Sequence, residues 1–116
     1  MAKFMLILHD NMPALGTLSP ADMQRIIAEY GAWSDRMAQA GRLVGGDKLK
    51  DEGGKHLSLV KGKYTVRDGP YAEAKEVVGG YFVIEAADYA EITTLAADCP
   101  HLALGGRIEV REIDPI

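Results

Sequence analysis

Two segments of this chain are apolar on both faces of a strand, and they constrain its fold more than any other feature. In Lys3–His9 the alternation places Phe4, Leu6 and Leu8 on one side and Met5, Ile7 and His9 on the other. Val77–Ala86 is apolar on both sides except at Glu85. Strands of this kind must be covered twice. The rest of the chain predicts only two helices, enough to cover one face of a sheet. The other face would leave a large apolar patch in water, which soluble monomers avoid, so a second copy packed across a two-fold axis is expected.

The first helix is predicted from Ser19, an N-cap followed by Pro20 at the first helical position and Asp22 in the first turn. Met23, Ile26, Ile27, Tyr30, Trp33 and Met37 recur at helical spacing and predict one inward face, and Gly41 predicts the left-handed stop. The second helix opens at Asp88 with Asp88–Glu91 as a capping-box pattern, turns Ile92, Leu95 and Ala96 inward, and stops at Cys99–Pro100. Further strands are expected around Leu43–Val44, at His56–Val60, at Tyr64–Val66 and at Arg107–Ile113, with Ile108 and Val110 inward. Gly45–Gly46 suggests a bulge or a close backbone approach, and Asp10–Leu18 reads as a loop. Strands alternating with two helices give an α+β fold, a ferredoxin-like sandwich with an antiparallel sheet and two helices on one face. At 116 residues the chain has room for a single domain spanning 1–116.

Composition excludes several functions. Thirteen Lys plus Arg against 17 Asp plus Glu leave a net charge of −4, which disfavours a nucleic-acid partner. A single cysteine, Cys99, forbids an internal disulfide, and His9, His56 and His101 lie too far apart in sequence for metal-ligand spacing, so neither metal nor cofactor is expected. The apolar run Phe4–Leu8 is shorter than a signal peptide or a membrane span needs, which makes a cytoplasmic location with no membrane partner the default reading.

The densest polar segment is Asp68-Gly69-Pro70-Tyr71-Ala72-Glu73-Ala74-Lys75-Glu76. Its Asp-Gly-Pro start makes a rigid turn, and Glu73, Lys75 and Glu76 follow directly before an apolar strand. Such charges either solvate a connection or present a carboxylate and an amine to a cleft, with Lys75–Glu76 as an ion pair holding the loop. His101 and His9 are candidate acid–base groups, and Asp68 joins them as a third. The competing reading makes His101 a partly exposed loop residue bonded to backbone, His9 a rim residue beside Met5 and Ile7, and His56 a surface residue. Tyr30 and Trp33 either pack against the sheet or wall a planar ligand. Cys99, directly before a proline, is expected to be half-buried, and a nucleophilic role would need a depressed pKa, with only His101 as a basic neighbour in sequence.

The run DGPYAEAKEVVGGYFVIE resembles the DGPF subgroup of the YCII-related family, with Tyr71 where that subgroup carries Phe. The opening KFMLILHD, the helix start Ser19–Met23, the helix end Ala40–Leu43 and the closing Cys99–Arg111 are similar to it too. The resemblance implies a dimeric α+β barrel in which two sheets pack face to face. It also implies small bacterial proteins encoded beside extracytoplasmic-function sigma factors, so a sigma factor becomes a candidate partner. Related proteins include a dehydrochlorinase of a chlorinated aromatic, and muconolactone isomerase shares the fold. The YCII-type pair of a helix His with an Asp before Pro falls here on Tyr30 and Cys99, so neither partner is retained.

Two functions follow from this reading. In one, a homodimer binds a small ligand or a regulatory protein, with Tyr30, Trp33, Asp68, Tyr71, Glu73, Lys75 and Glu76 as the ligand-binding set. In the other, a cofactor-free lyase or isomerase uses His101 or His9 as base, with Asp68, Glu73 or Lys75 placing charge.

Overall fold

Ala2–Asn11 (β1) runs down the middle of a four-stranded antiparallel sheet. Its neighbours are Glu76–Ala86 (β5) and Arg107–Glu112 (β6), and Leu43–Lys48 (β2) closes the far edge in the order β2-β5-β1-β6. The computed structural model describes residues 1–69 and 76–116, with all side chains in those ranges except those of Met12 and Leu15. The long helix Pro20–Gln39 (α2) and the shorter Tyr89–Ala97 (α3) cover one face of the sheet. This is the α+β, ferredoxin-like sandwich that the alternation of elements predicts.

The register shows why both central strands are apolar throughout. Phe4, Leu6 and Leu8 pair with Ile84, Phe82 and Gly80 on the helix side. There they pack against Trp33 and Met37 of α2 and Ile92 and Ala96 of α3. Ile108 and Val110 join them from β6, as expected. Met5 pairs with Val83 and Ile7 with Tyr81 on the opposite face, which no element among the described residues covers, and all four stay half-exposed.

Local signals set the helix ends. The Ser19 hydroxyl accepts from the Asp22 N–H at 3.1 Å, and the Asp22 carboxylate accepts from the Ser19 N–H at 3.4 Å, so the box is reciprocal. Gly41 takes the left-handed φ of 72° that ends α2. At α3 the Asp88 carboxylate accepts from the Glu91 N–H at 2.8 Å, but Glu91 does not reach back to residue 88. Its carboxylate instead takes the Ala87 N–H at 3.0 Å and the Arg42 guanidinium at 2.7 Å, which ties the start of α3 to the end of α2.

Three expectations need correction. Asp10–Leu18 is not wholly a loop, because β1 continues to Asn11 and Met12–Leu15 (α1) forms a single helical turn, with the Asn11 side chain accepting the Ala14 N–H. The inward stripe of α2 is narrower than predicted. Ile26, Trp33 and Met37 are buried, whereas Ile27 is 65% exposed and Met23 39%. Positions 26, 30, 33 and 37 follow the sheet, and each immediate neighbour is rotated by about 100° away from it. Cys99, expected to be half-buried, is fully inside the core.

Lys55–Val60 (β3) and Lys63–Asp68 (β4) form a separate two-stranded hairpin joined through Lys61–Gly62. Both turn residues have positive φ, 50° and 77°, which is the twist a two-residue hairpin turn needs.

Candidate functional site

The lower end of β1 carries a break in register, and the polar residues of interest gather there. Leu8 pairs with Gly80 but His9 pairs with Val78, so Gly79 is the extra residue of a bulge. A Cβ at Gly79 would overlap the Asp10 carboxylate, so glycine makes room for that side chain. Gly106 does the same for His101, whose ring a Cβ there would overlap. At Gly46 a Cβ would lie 2.8 Å from the Tyr81 carbonyl oxygen, which is the close backbone approach expected of the Gly45–Gly46 pair.

His101 is 2% exposed, not the partly exposed loop residue of the sequence reading. It sits at the start of the short 3-10 helix Leu102–Leu104, and its ring turns under β1. Nε2 lies 2.8 Å from the His9 carbonyl oxygen, which can only accept, so the ring carries its proton there. In the neutral ring Nδ1 is then the acceptor, and the Tyr30 hydroxyl donates to it at 2.6 Å. Asp10 Oδ1 stands 4.0 Å from the same Nδ1. Tyr30 reaches the cluster from α2, three residues before Trp33, whose indole N–H donates to the Leu95 carbonyl at 3.1 Å. Trp33 is fully buried and packs edge-on to Phe82 at 5.0 Å, so it acts as the anchor that places Tyr30.

The electrostatics follow from burial. Desolvation raises the Asp10 pKa above the ordinary aspartate value, with the neighbouring imidazole of His101 and Lys48 pulling the other way. Burial also raises the Tyr30 phenol, helped by Cys99 and Asp10, so Tyr30 keeps its proton and gives it to the hydrogen bond with His101. Cys99 is raised by desolvation against a hydrogen bond from the His101 backbone, which is the opposite of an activated thiol. With the phenol proton committed to Nδ1, the Tyr30 oxygen lone pairs and the Asp10 carboxylate are the acceptors that remain in the cluster.

Because the folded state disfavours the Asp10 carboxylate, stability from this group is greatest below the unfolded pKa and falls as pH rises through the folded one. Asp10→Asn is expected to raise the unfolding midpoint at pH 7 and to leave it unchanged near pH 3, where aspartate is also neutral. Thermal melts of both proteins across that range check this. A lower midpoint at pH 7 would show that the carboxylate is held by attraction.

The remaining candidates are dispersed. The His9 ring lies on the uncovered sheet face, where Nε2 meets Glu109 Oε1 at 3.0 Å and holds the Glu109 carboxyl below its usual range. His9 and His101 thus share a backbone hydrogen bond while their rings occupy opposite sides of the sheet. Asp68 is exposed at the base of the hairpin, paired with Lys55. Glu76 starts β5 opposite Asn11 and pairs with Arg107 at 3.3 Å. Tyr71, Glu73 and Lys75 lie outside the described residues, although Glu76 shows that the chain re-enters the sheet one residue from Asp10. Sequence reasoning missed Asp10, which it assigned to a loop. The signal it overlooked was Gly79–Gly80 as a bulge making room for a neighbouring side chain.

Among the described residues no group of three or more His, Cys, Asp or Glu is placed to hold a metal, and no helix is long and apolar enough to cross a membrane. An open groove of about 480 Å³ runs along Glu29, Ala32 and Arg36 to Asp98–Pro100. It shares no residue with the Asp10–Tyr30–His101 cluster.

The family model described as YCII-related domain matches residues 2–116. This chain belongs to that family. No curated protein matches it. Among solved structures it is similar to 5-chloro-2-hydroxyhydroquinone dehydrochlorinase (TftG) from Burkholderia phenoliruptrix AC1100, determined as a complex with 2,5-dihydroxybenzoquinone. The TM-score is 0.53 at 15% identity, over 97% of this chain and 93% of that one. At that identity the likeness is one of fold. The YCII-related chain described here has Tyr30, His101 and Asp10 joined at the end of its central strand.

Proposed function

We propose that this YCII-related protein is a homodimer that binds a small ring compound bearing O–H or N–H donors at the Asp10–Tyr30 end of β1. The observation that carries the reading is the 2.6 Å Tyr30–His101 hydrogen bond beside Asp10. It commits the phenol proton to His101 and leaves the Tyr30 oxygen and the Asp10 carboxylate as acceptors. A hydroxylated ring meets such acceptors with its donors, and the dehydrochlorinase of similar fold was solved with a ligand of that class. The apolar wall comes from the α2 side, where Trp33 fixes the backbone that carries Tyr30. Glu76, where β5 begins opposite Asn11, adds a further carboxylate at this same end. The uncovered sheet face, with Met5, Ile7, Tyr81 and Val83, is where the second copy packs.

A second reading, proton transfer without a cofactor, is favoured by the raised Asp10 pKa. A carboxylate that binds its proton more readily than usual is a better general base at neutral pH. Asp10 would take a proton from carbon or oxygen of the bound ring, and the reaction would be an isomerisation or an elimination. A sigma factor, the other candidate partner, would contact the outside of the same dimer.

Titration calorimetry with 2,5-dihydroxybenzoquinone and related dihydroxybenzenes tests the binding reading. Tyr30→Phe removes the donor to His101 and the outward acceptor together. Affinity is expected to fall about ten- to a hundredfold, in line with the loss of one buried hydrogen-bonding group of ~1–3 kcal/mol. Equal affinity in Tyr30→Phe and Asp10→Asn would place the ligand elsewhere. Spectroscopic change of the bound ring that is lost in Asp10→Asn alone would establish the proton-transfer reading.

A further inference from the structure

The β3–β4 hairpin carries an apolar strip on one face, closed at its base by the Lys55–Asp68 pair. Leu57 pairs with Val66 and Leu59 with Tyr64, so these four side chains share one face. The opposite face carries the pairs His56–Arg67, Ser58–Thr65 and Val60–Lys63. Yet the apolar face is bare. Tyr64 is 76% exposed, Leu57 67%, Val66 62% and Leu59 60%. Among the described residues the two strands join no other strand, and a lone two-stranded hairpin is at best marginal in water. The arm also stretches the molecule. Its radius of gyration is 16.0 Å, against roughly 13 Å for a chain of this length folded into a ball.

We infer that the Leu57–Leu59–Tyr64–Val66 face of the hairpin is an arm that packs on a second copy of this chain. Two observations select that occupant. The first is charge. Residues 55–68 contain Lys55, Lys61, Lys63 and Arg67 against Asp68, a net of +3, so the rest of a chain with total charge −4 carries −7. A basic arm and an acidic body on the same chain repel nothing and complement each other between copies. The second is position. The hairpin leaves the sheet after Lys48 of the edge strand β2, and the chain returns at Glu76 of its neighbour β5, so the arm springs from the edge of the same sheet that carries the uncovered face. An apolar strip at that edge adds to the surface available to the same second copy. The inference rests on the homodimer reading and adds a second contact zone to it.

Sedimentation equilibrium of three proteins tests it. These are the wild type, the arm variant Leu57→Ser/Tyr64→Ser, and the control Ser58→Ala/Thr65→Ala on the polar face. The arm variant is expected to raise the dimer dissociation constant at least fiftyfold, because each substitution occurs twice per dimer, while the control stays within threefold. Trp33 emission, which reports a core the hairpin does not enter, should be unchanged in all three. A dimeric wild type with an arm variant of equal affinity overturns this inference and leaves the homodimer standing. The apolar face would then serve a foreign protein. A monomeric wild type at about 100 μM overturns both.

Discussion

Trp33→Ala is expected to lower the unfolding free energy by about 3–5 kcal/mol, a large share of the ~5–15 kcal/mol that holds a domain of this size together. Trp33 is fully buried between the sheet and both helices, and its indole N–H bridges α2 to the Leu95 carbonyl of α3. Truncation leaves a cavity and removes the hydrogen bond between the two helices at once. The loss should be read from urea unfolding by circular dichroism at 222 nm, because the chain has one tryptophan and the variant has none. The consequence reaches the site, since Tyr30 stands one turn away on the same face. A loss below about 1 kcal/mol would mean that α2 does not dock on the sheet as described.

Met5→Asp/Val83→Asp is expected to abolish dimerisation. The two residues are direct cross-strand partners on the uncovered face, and both are half-exposed in the single chain. In the monomer the new carboxylates stay hydrated and should cost little. Across a two-fold interface the pair becomes four unpaired charges in an apolar contact, and each uncompensated buried charge costs ~3–5 kcal/mol. At 1.4 kcal/mol per tenfold, association should weaken more than about a thousandfold. Light scattering should then report 12.6 kDa in place of about twice that mass. A variant that remains dimeric would move the interface off this face and would leave the apolar side of β1 and β5 unexplained.

These two predictions rest on different kinds of legibility. The stop at Gly41, the Ser19 N-cap and the placement of Ile108 and Val110 could be read directly, because each depends on neighbours within a few residues or on a strict period of two. The stripe of α2 was read too broadly. Spacing marks which residues can face inward, but the width of the contact is set by the sheet below, and Ile27 lies just beyond it. The site was legible only in pieces. His101 and Tyr30 could be named as candidates, yet 71 residues separate them, and no local rule predicts that a phenol on a helix will donate to an imidazole on a distant loop.

By itself, then, the sequence determined the kind of fold. Two strands apolar on both sides, two helices with one inward face each, and caps at their ends admit an antiparallel sheet with helices on one side and leave little else. Tertiary structure alone decided the chemistry. β1 keeps its alternation past Leu8, so Asp10 shares the helix side with Phe4, Leu6 and Leu8 while His9 points to the other. The extra residue lies in the partner strand, where Gly79 leaves room for the Asp10 carboxylate. That Asp10 joins a cluster there depends on Tyr30 and His101 arriving from distant parts of the chain, which no local period records.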